Sequence, residues 1–193
     1  MMQWFTADCH FGHFNVIPSC GRPFSDVAEM NAHMLDAYVA RVLSGDDLWV
    51  LGDFAIAKTA DGGRDVVRDI FRRIPGKKHL ILGNHDLPWV KELGWESIDD
   101  FKEIKIEGRR VSLSHYPMLT FPGARHGAIQ MFGHVHQNWR GSRNSVNVGV
   151  DVFDFRPVTL SEVLDRAKLL PVNAHWDEVE PGVTVDGPSI SLG

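Results

Sequence analysis

The chain has 193 residues, a formal net charge of −5, 44% hydrophobic residues and 23% charged residues. That length can bury a sizeable core, and the negative balance argues against a protein that clamps long nucleic acid by phosphate contacts alone. Two cysteines, Cys9 and Cys20, exclude a disulfide framework, and no apolar run approaches the ~18 residues of a membrane span. The opening MMQWFTADCH shows no secretory leader, so the expected location is cytoplasmic, without membrane association. Neither C-x-x-C nor the glycine-rich nucleotide loops occur.

Met2–Ala7 reads as a short buried strand. A Pro- and Gly-bearing loop follows. Val27, Met30, Met34, Tyr38 and Val42 then recur at helical spacing, with Ser25 as the expected N-cap and Gly45 as the stop. Asp47–Leu51 is the next strand. Val66, Val67, Ile70, Phe71 and Ile74 mark a second amphipathic helix, ended by Pro75-Gly76. His79–Leu82 is a strand, and a short helical piece follows Pro88. Ile104 and Ile106, then Val111 and Leu113, alternate with polar residues around Glu107-Gly108, which predicts a β-hairpin. Ala128–Phe132 and Ser145–Val150 add strands. Thr159 and Glu162 form a capping box for a helix to about Leu169. Residues 1–170 are expected to form one domain, and 171–193 a tail or surface strap.

Five apolar strands each run into a polar cluster. These are Asp8-Cys9-His10, Gly52-Asp53, Gly83-Asn84-His85-Asp86, His115, and Gly133-His134-Val135-His136. In open α/β sheets, sites form just beyond the carboxyl ends of strands. In an extended segment residues two apart face the same way, so Asp8 and His10 are expected to point together, as are His134 and His136. Glycines 52, 83 and 133 let the chain turn at each strand end. Two Asp, one Asn and four His suit borderline divalent metals better than Ca or Mg. The set is too large for one tetrahedral ion and about right for two ions sharing a carboxylate.

The ordered series Asp8-x-His10, Gly52-Asp53, Gly83-Asn84-His85-Asp86, His115, Gly133-His134-x-His136 resembles the calcineurin-like metallophosphoesterases, and the extension of the first motif into HFGHFN looks like a compact bacterial or phage-type subgroup. The resemblance covers about two-thirds of the chain. It implies an α/β fold, a two-sheet β-sandwich flanked by helices in four αββα layers, around a dinuclear centre. By motif match, one ion would take Asp8, His10 and His136, the other Asn84, His115 and His134, and Asp53 would bridge them. One departure stands out: Phe54-Ala55-Ile56 follows Asp53, where many members carry a second acid.

The expected cofactors are two divalent transition-metal ions, Mn foremost, with Fe, Ni, Co or Zn as alternatives. The expected reaction is hydrolysis of a phosphate mono- or diester by a metal-bound hydroxide. His85 is the candidate general acid, with Asp86 orienting it and keeping it protonated. The expected partner is a small or flexible phosphate ester, a nucleotide or nucleic-acid end among them. Blander roles fit other residues. Arg22 reads as a surface or capping arginine, with contact to a substrate phosphate as the alternative, Cys9 as a buried small side chain, and Asp151 and Asp154 as turn acids. His13 and Asn15 line the pocket or bond within their loop. The competing function is a non-catalytic metal-binding interaction module on the same fold. Retention of His85 and all seven ligand candidates disfavours it, and a structural metal site would favour a closed, Cys-rich set.

Overall fold

The computed structural model describes residues 1–58 and 62–179. In chain order the elements are β1 (Gln3–Thr6), α1 (Val16–Ser19), α2 (Val27–Arg41), β2 (Asp47–Leu51), α3 (Gly63–Arg73), β3 (Lys77–Ile81) and α4 (Pro88–Lys91). Then come β4 (Ser97–Asp99), β5 (Phe101–Ile106), β6 (Arg109–Ser114), β7 (Ile129–Phe132), β8 (Gly141–Ser142), β9 (Ser145–Asn147), β10 (Val158–Thr159), α5 (Leu160–Lys168) and α6 (Trp176–Val179). The strands pair into two five-stranded sheets, ordered β10-β1-β2-β3-β4 and β5-β6-β7-β9-β8. Strands β1 to β4 run parallel, as do β6, β7 and β9. The fold is therefore the expected α/β arrangement, two sheets flanked by helices.

Alternation along the strands explains the layering, because successive side chains face opposite sides of a sheet. Phe5, Leu51 and Ile81 face the second sheet and meet Val111, Leu113, Met131 and Val146 between the layers. Trp4, Leu48, Val50 and Leu80 face the other way and pack under Met30, Met34 and Tyr38 of α2 and Val67, Ile70 and Phe71 of α3. Each such side chain contributes about 1.5–3 kcal/mol when fully buried. The outer face of the second sheet is polar. Gln130 donates to Ser114 Oγ at 2.7 Å and accepts from Ser145 Oγ at 2.6 Å and from the Met118 amide at 3.1 Å. The 117–128 segment lies over this network, with Phe121, Ala124 and Ala128 as its own small core.

Boundaries follow local chemistry. Helix α2 is capped one residue later than Ser25: Asp26 accepts from the Glu29 amide at 2.8 Å, and Ser25 donates its amide and hydroxyl to Glu29 Oε2, both at 2.7 Å. It ends at the extended Val42 rather than Gly45. The hairpin turns on Glu107 and Gly108, both at positive φ (51° and 82°), which is the geometry a tight two-residue turn needs. Thr159 and Glu162 form the expected capping box. The short strands β4, β8 and β10 have too few residues to show a period. Part of the expected tail, 180–193, lies outside the described residues.

Candidate metal centre

Strands β1, β2, β3, β6 and β7 end on one side of the sandwich. Their loops bring together Asp8, His10, Asp53, Asn84, His115, His134 and His136. The means differs from simple strand alternation. Asp8, His10, Asp53, His134 and His136 all have positive φ, between 49° and 69°. β1 has ended by Thr6, so Asp8 and His10 converge because the backbone is left-handed at both, not extended. Asp and His tolerate this region better than most side chains, yet each such residue costs about 1–3 kcal/mol. Glycine matters here mainly through close approach. A Cβ at Gly133 would lie 2.8 Å from Asp8 Oδ2 and 2.5 Å from Ala7 Cβ.

Asp53 occupies the middle. Its Oδ2 is 3.6 Å from His10 Nε2 on one side and 3.6 Å from His115 Nε2 on the other. Its Oδ1 accepts from the His85 amide at 2.8 Å. On one flank stand Asp8, His10 and His136, whose ligating atoms lie within 4.8 Å of one another. Asp8 Oδ1 accepts from the His134 amide at 2.9 Å. Asp8 Oδ2 and His10 Nε2 are buried and have no hydrogen-bond partner. Leaving such atoms unsatisfied costs about 1–3 kcal/mol each. On the other flank, Asn84 Oδ1 is 3.0 Å from both His115 Nε2 and His134 Nδ1. His115 Nδ1 lies 2.8 Å from the Leu51 carbonyl oxygen, an acceptor only, so this nitrogen carries the proton and Nε2 faces the site.

The electrostatics favour a cation. Burial pushes the Asp8 carboxyl up to about 7, against the pull of His136 and the His134 amide. Burial likewise lowers His10 strongly below the usual imidazole value and also lowers His115, so both present neutral nitrogens. His136 behaves otherwise. Burial disfavours its charged form, but its 2.7 Å bond to Asp151 and the charge of Asp8 outweigh that, and its pKa rises. Unpartnered carboxylate and imidazole atoms beside a shared carboxylate fit a divalent metal by donor type.

Several sequence expectations change in detail. Asp86 does not orient the His85 ring. Its Oδ2 accepts from the amides of Gly83 (2.8 Å) and Asp53 (3.0 Å), and its Oδ1 from Phe54 (2.9 Å), so it ties the β2 and β3 loops together. A buried carboxylate with three converging amides is already committed to the backbone. His85 itself is exposed, with its ring 5.6 Å from that of His10. His13 Nδ1 sits 3.4 Å from His10 Nδ1, while Asn15 is exposed and offers no side-chain cap to α1.

Arg22 is not the expected surface or capping arginine, and Asp151 is more than a turn acid. The Arg22 side chain is fully buried and grips Asp151 at 2.8 and 3.0 Å. It also donates to the carbonyl oxygens of Asp8 (2.7 Å) and Cys9 (3.0 Å). Asp151 in turn fixes His136. Cys9 is the expected small buried side chain, 3.1 Å from the Tyr38 hydroxyl.

Fold and site together define an α/β two-sheet protein with a histidine, carboxylate and carboxamide centre at its strand ends. No family model matches the chain. It is 30% identical over 177 residues to the uncharacterized protein MJ1445 of Methanocaldococcus jannaschii, covering 86% of this chain and 93% of that one. It is also 30% identical over 194 residues to the gene 66 protein of Mycobacterium phage L5, covering 84% and 92%. The chain belongs to the family that these two proteins represent. The crystal structure of AQ665 from Aquifex aeolicus, a protein of unknown function, overlays with a TM-score of 0.69 at 26% identity, over 86% of this chain and 98% of that one.

Proposed function

We propose that the chain is a metal-dependent phosphoesterase, cleaving phosphate mono- or diesters at a two-ion centre. The observation that carries this reading is the placement of Asp53 Oδ2, 3.6 Å from an imidazole nitrogen of each flank. Asp8, His10 and His136 would hold one ion, Asn84, His115 and His134 the other, and Asp53 would serve both. Bound there, two divalent ions, Mn foremost, would neutralise the phosphoryl oxygens and supply a nucleophile at neutral pH.

The chain's own groups divide the remaining work. Arg22 and Asp151 lock the His136 ring, and Leu51 locks that of His115, so the donor atoms are preorganised. Asp86 keeps the β2 and β3 loops in register and thereby fixes Asp53 against Asn84. His85 stands exposed beside them, its backbone tied to Asp53, and donates a proton to the departing oxygen. The test is hydrolysis of paired chromogenic mono- and diesters by metal-stripped protein, with Mn, Co, Ni, Zn or Mg added back. Turnover restored by a transition metal and absent in Asp53→Asn supports the reading. Chains that bind two ions but turn over neither ester support the interaction module instead.

A further inference from the structure

Four described aromatic side chains are exposed: Phe14, Phe101, Tyr116 and Trp139. An ordinary surface would scatter them. Here each lies within four residues of a residue of the metal centre or pairs with a strand residue next to one. Phe14 follows His13 in the β1 loop. Phe101 pairs with Ser114, the residue before His115. Tyr116 follows His115. Trp139 ends the turn that begins at His136 and stacks on Phe132, with centroids 5.2 Å apart and planes 26° from parallel. Tyr116 is the most intimate. It is 49% exposed, its ring centroid is 4.4 Å from that of His134, and its hydroxyl reaches Asn84 Oδ1 at 3.4 Å.

Resting on the phosphoesterase reading, we propose that this aromatic rim is a base-stacking platform and that the substrate is a phosphoester of a nucleoside, with Tyr116 as the specificity-determining residue. Every nucleobase has a π-face, and a ring held by a rigid loop stacks on it without reading sequence. A single aryl phosphate such as phosphotyrosine carries its ring directly on the ester oxygen and needs one contact. Rings on four separate segments fit a ligand that carries bases at intervals along a phosphate chain. The chain's net charge of −5 leaves stacking, rather than a broad basic surface, to supply affinity beyond the metal centre.

The experiment compares calorimetric affinities for adenosine 5′-monophosphate, base-free ribose 5-phosphate and phosphotyrosine, with metal-loaded and metal-free protein. The nucleotide is expected to bind at least about tenfold more tightly than the sugar phosphate. Tyr116→Ala should bring that ratio close to one, and Tyr116→Phe, which keeps the ring and loses the hydroxyl, should restore it. Equal affinity for the nucleotide and the sugar phosphate overturns the proposal. So does phosphotyrosine binding as tightly as the nucleotide, or a Phe variant as impaired as the Ala variant. A decanucleotide binding more tightly than a dinucleotide identifies a single strand as the source of the bases, and equal binding identifies a small nucleotide. The preference surviving without any ester turnover sinks the catalytic reading and leaves the platform. Turnover without the preference does the reverse.

Discussion

The cluster of Asp8, His10 and His136 sits deep and is braced from behind, whereas Asn84, His115 and His134 meet nearer the rim. Behind the first lie Arg22 and Asp151, a buried pair that also grips the backbone at Asp8 and Cys9. Two of its atoms, Asp8 Oδ2 and His10 Nε2, have no partner. In the second, Asn84 is exposed and its oxygen is shared between two imidazole nitrogens at 3.0 Å. A cation entering the first cluster meets unsatisfied donors. At the second, Asn84 is open to water, which competes for the same positions. The two halves are therefore expected to differ in affinity, with the deep cluster tighter, and Asp53 to couple them.

The sharpest break is at Asp53. Asp53→Asn removes charge from both halves, so the bound metal should fall from two ions per chain to one or none, as measured by elemental analysis after dialysis. His85→Asn should separate chemistry from binding. Both ions stay, and the rate on an ester with a poor leaving group falls by about 10²–10⁴-fold. Metal loss in that variant would mean that His85 is a ligand. Asp151→Asn tests the brace. Ion affinity at the deep cluster should drop about 10–100-fold while the rim cluster keeps its own, seen as one shifted phase in a two-site titration. Equal weakening of both phases would show that Asp151 acts on the whole loop structure.

The smallest effect belongs to the body of the fold. Burial opposes ionisation of Glu162, but bonds from Arg156, the Thr159 amide and Arg41 outweigh it and bring the carboxyl down to about 2. Its pKa is depressed in the folded chain, so its stabilisation is fully present above about pH 4.5 and is lost as pH falls toward 2. The group is partly exposed, and solvent screening limits the contribution to about 1 kcal/mol. Glu162→Gln should lower the Tm slightly at pH 7 and hardly at all at pH 2. An equal loss at both values would assign the effect to packing.

Much of this was legible because it is local. A greasy run ending in Asp-x-His or Gly-Asn-His-Asp shows both strand and cluster, and the hairpin at Glu107-Gly108 follows from alternation and a turn glycine. What the sequence hid is long-range or conformational. Arg22 and Asp151 are 129 residues apart and carry no motif, so their pairing emerges only when β1 and the segment after β9 are adjacent. The left-handed backbone at Asp8, His10, Asp53, His134 and His136 has no signature in residue type alone. Asp86 looked like a partner for its neighbour His85, yet its nearest unpaired donors were the amides of Gly83, Asp53 and Phe54. Even the glycines do more than turn the chain: Gly52, at φ 85°, also makes room for the His115 ring, and Gly133 makes room for Asp8.

The most direct test of the two-ion centre is anomalous diffraction from crystals grown with Mn, collected on the wild type and on Asp53→Asn. Two peaks are expected in the wild type, one against Asp8, His10 and His136 and one against Asn84, His115 and His134, with Asp53 between them. A single peak away from Asp53, or none at saturating metal, would contradict it.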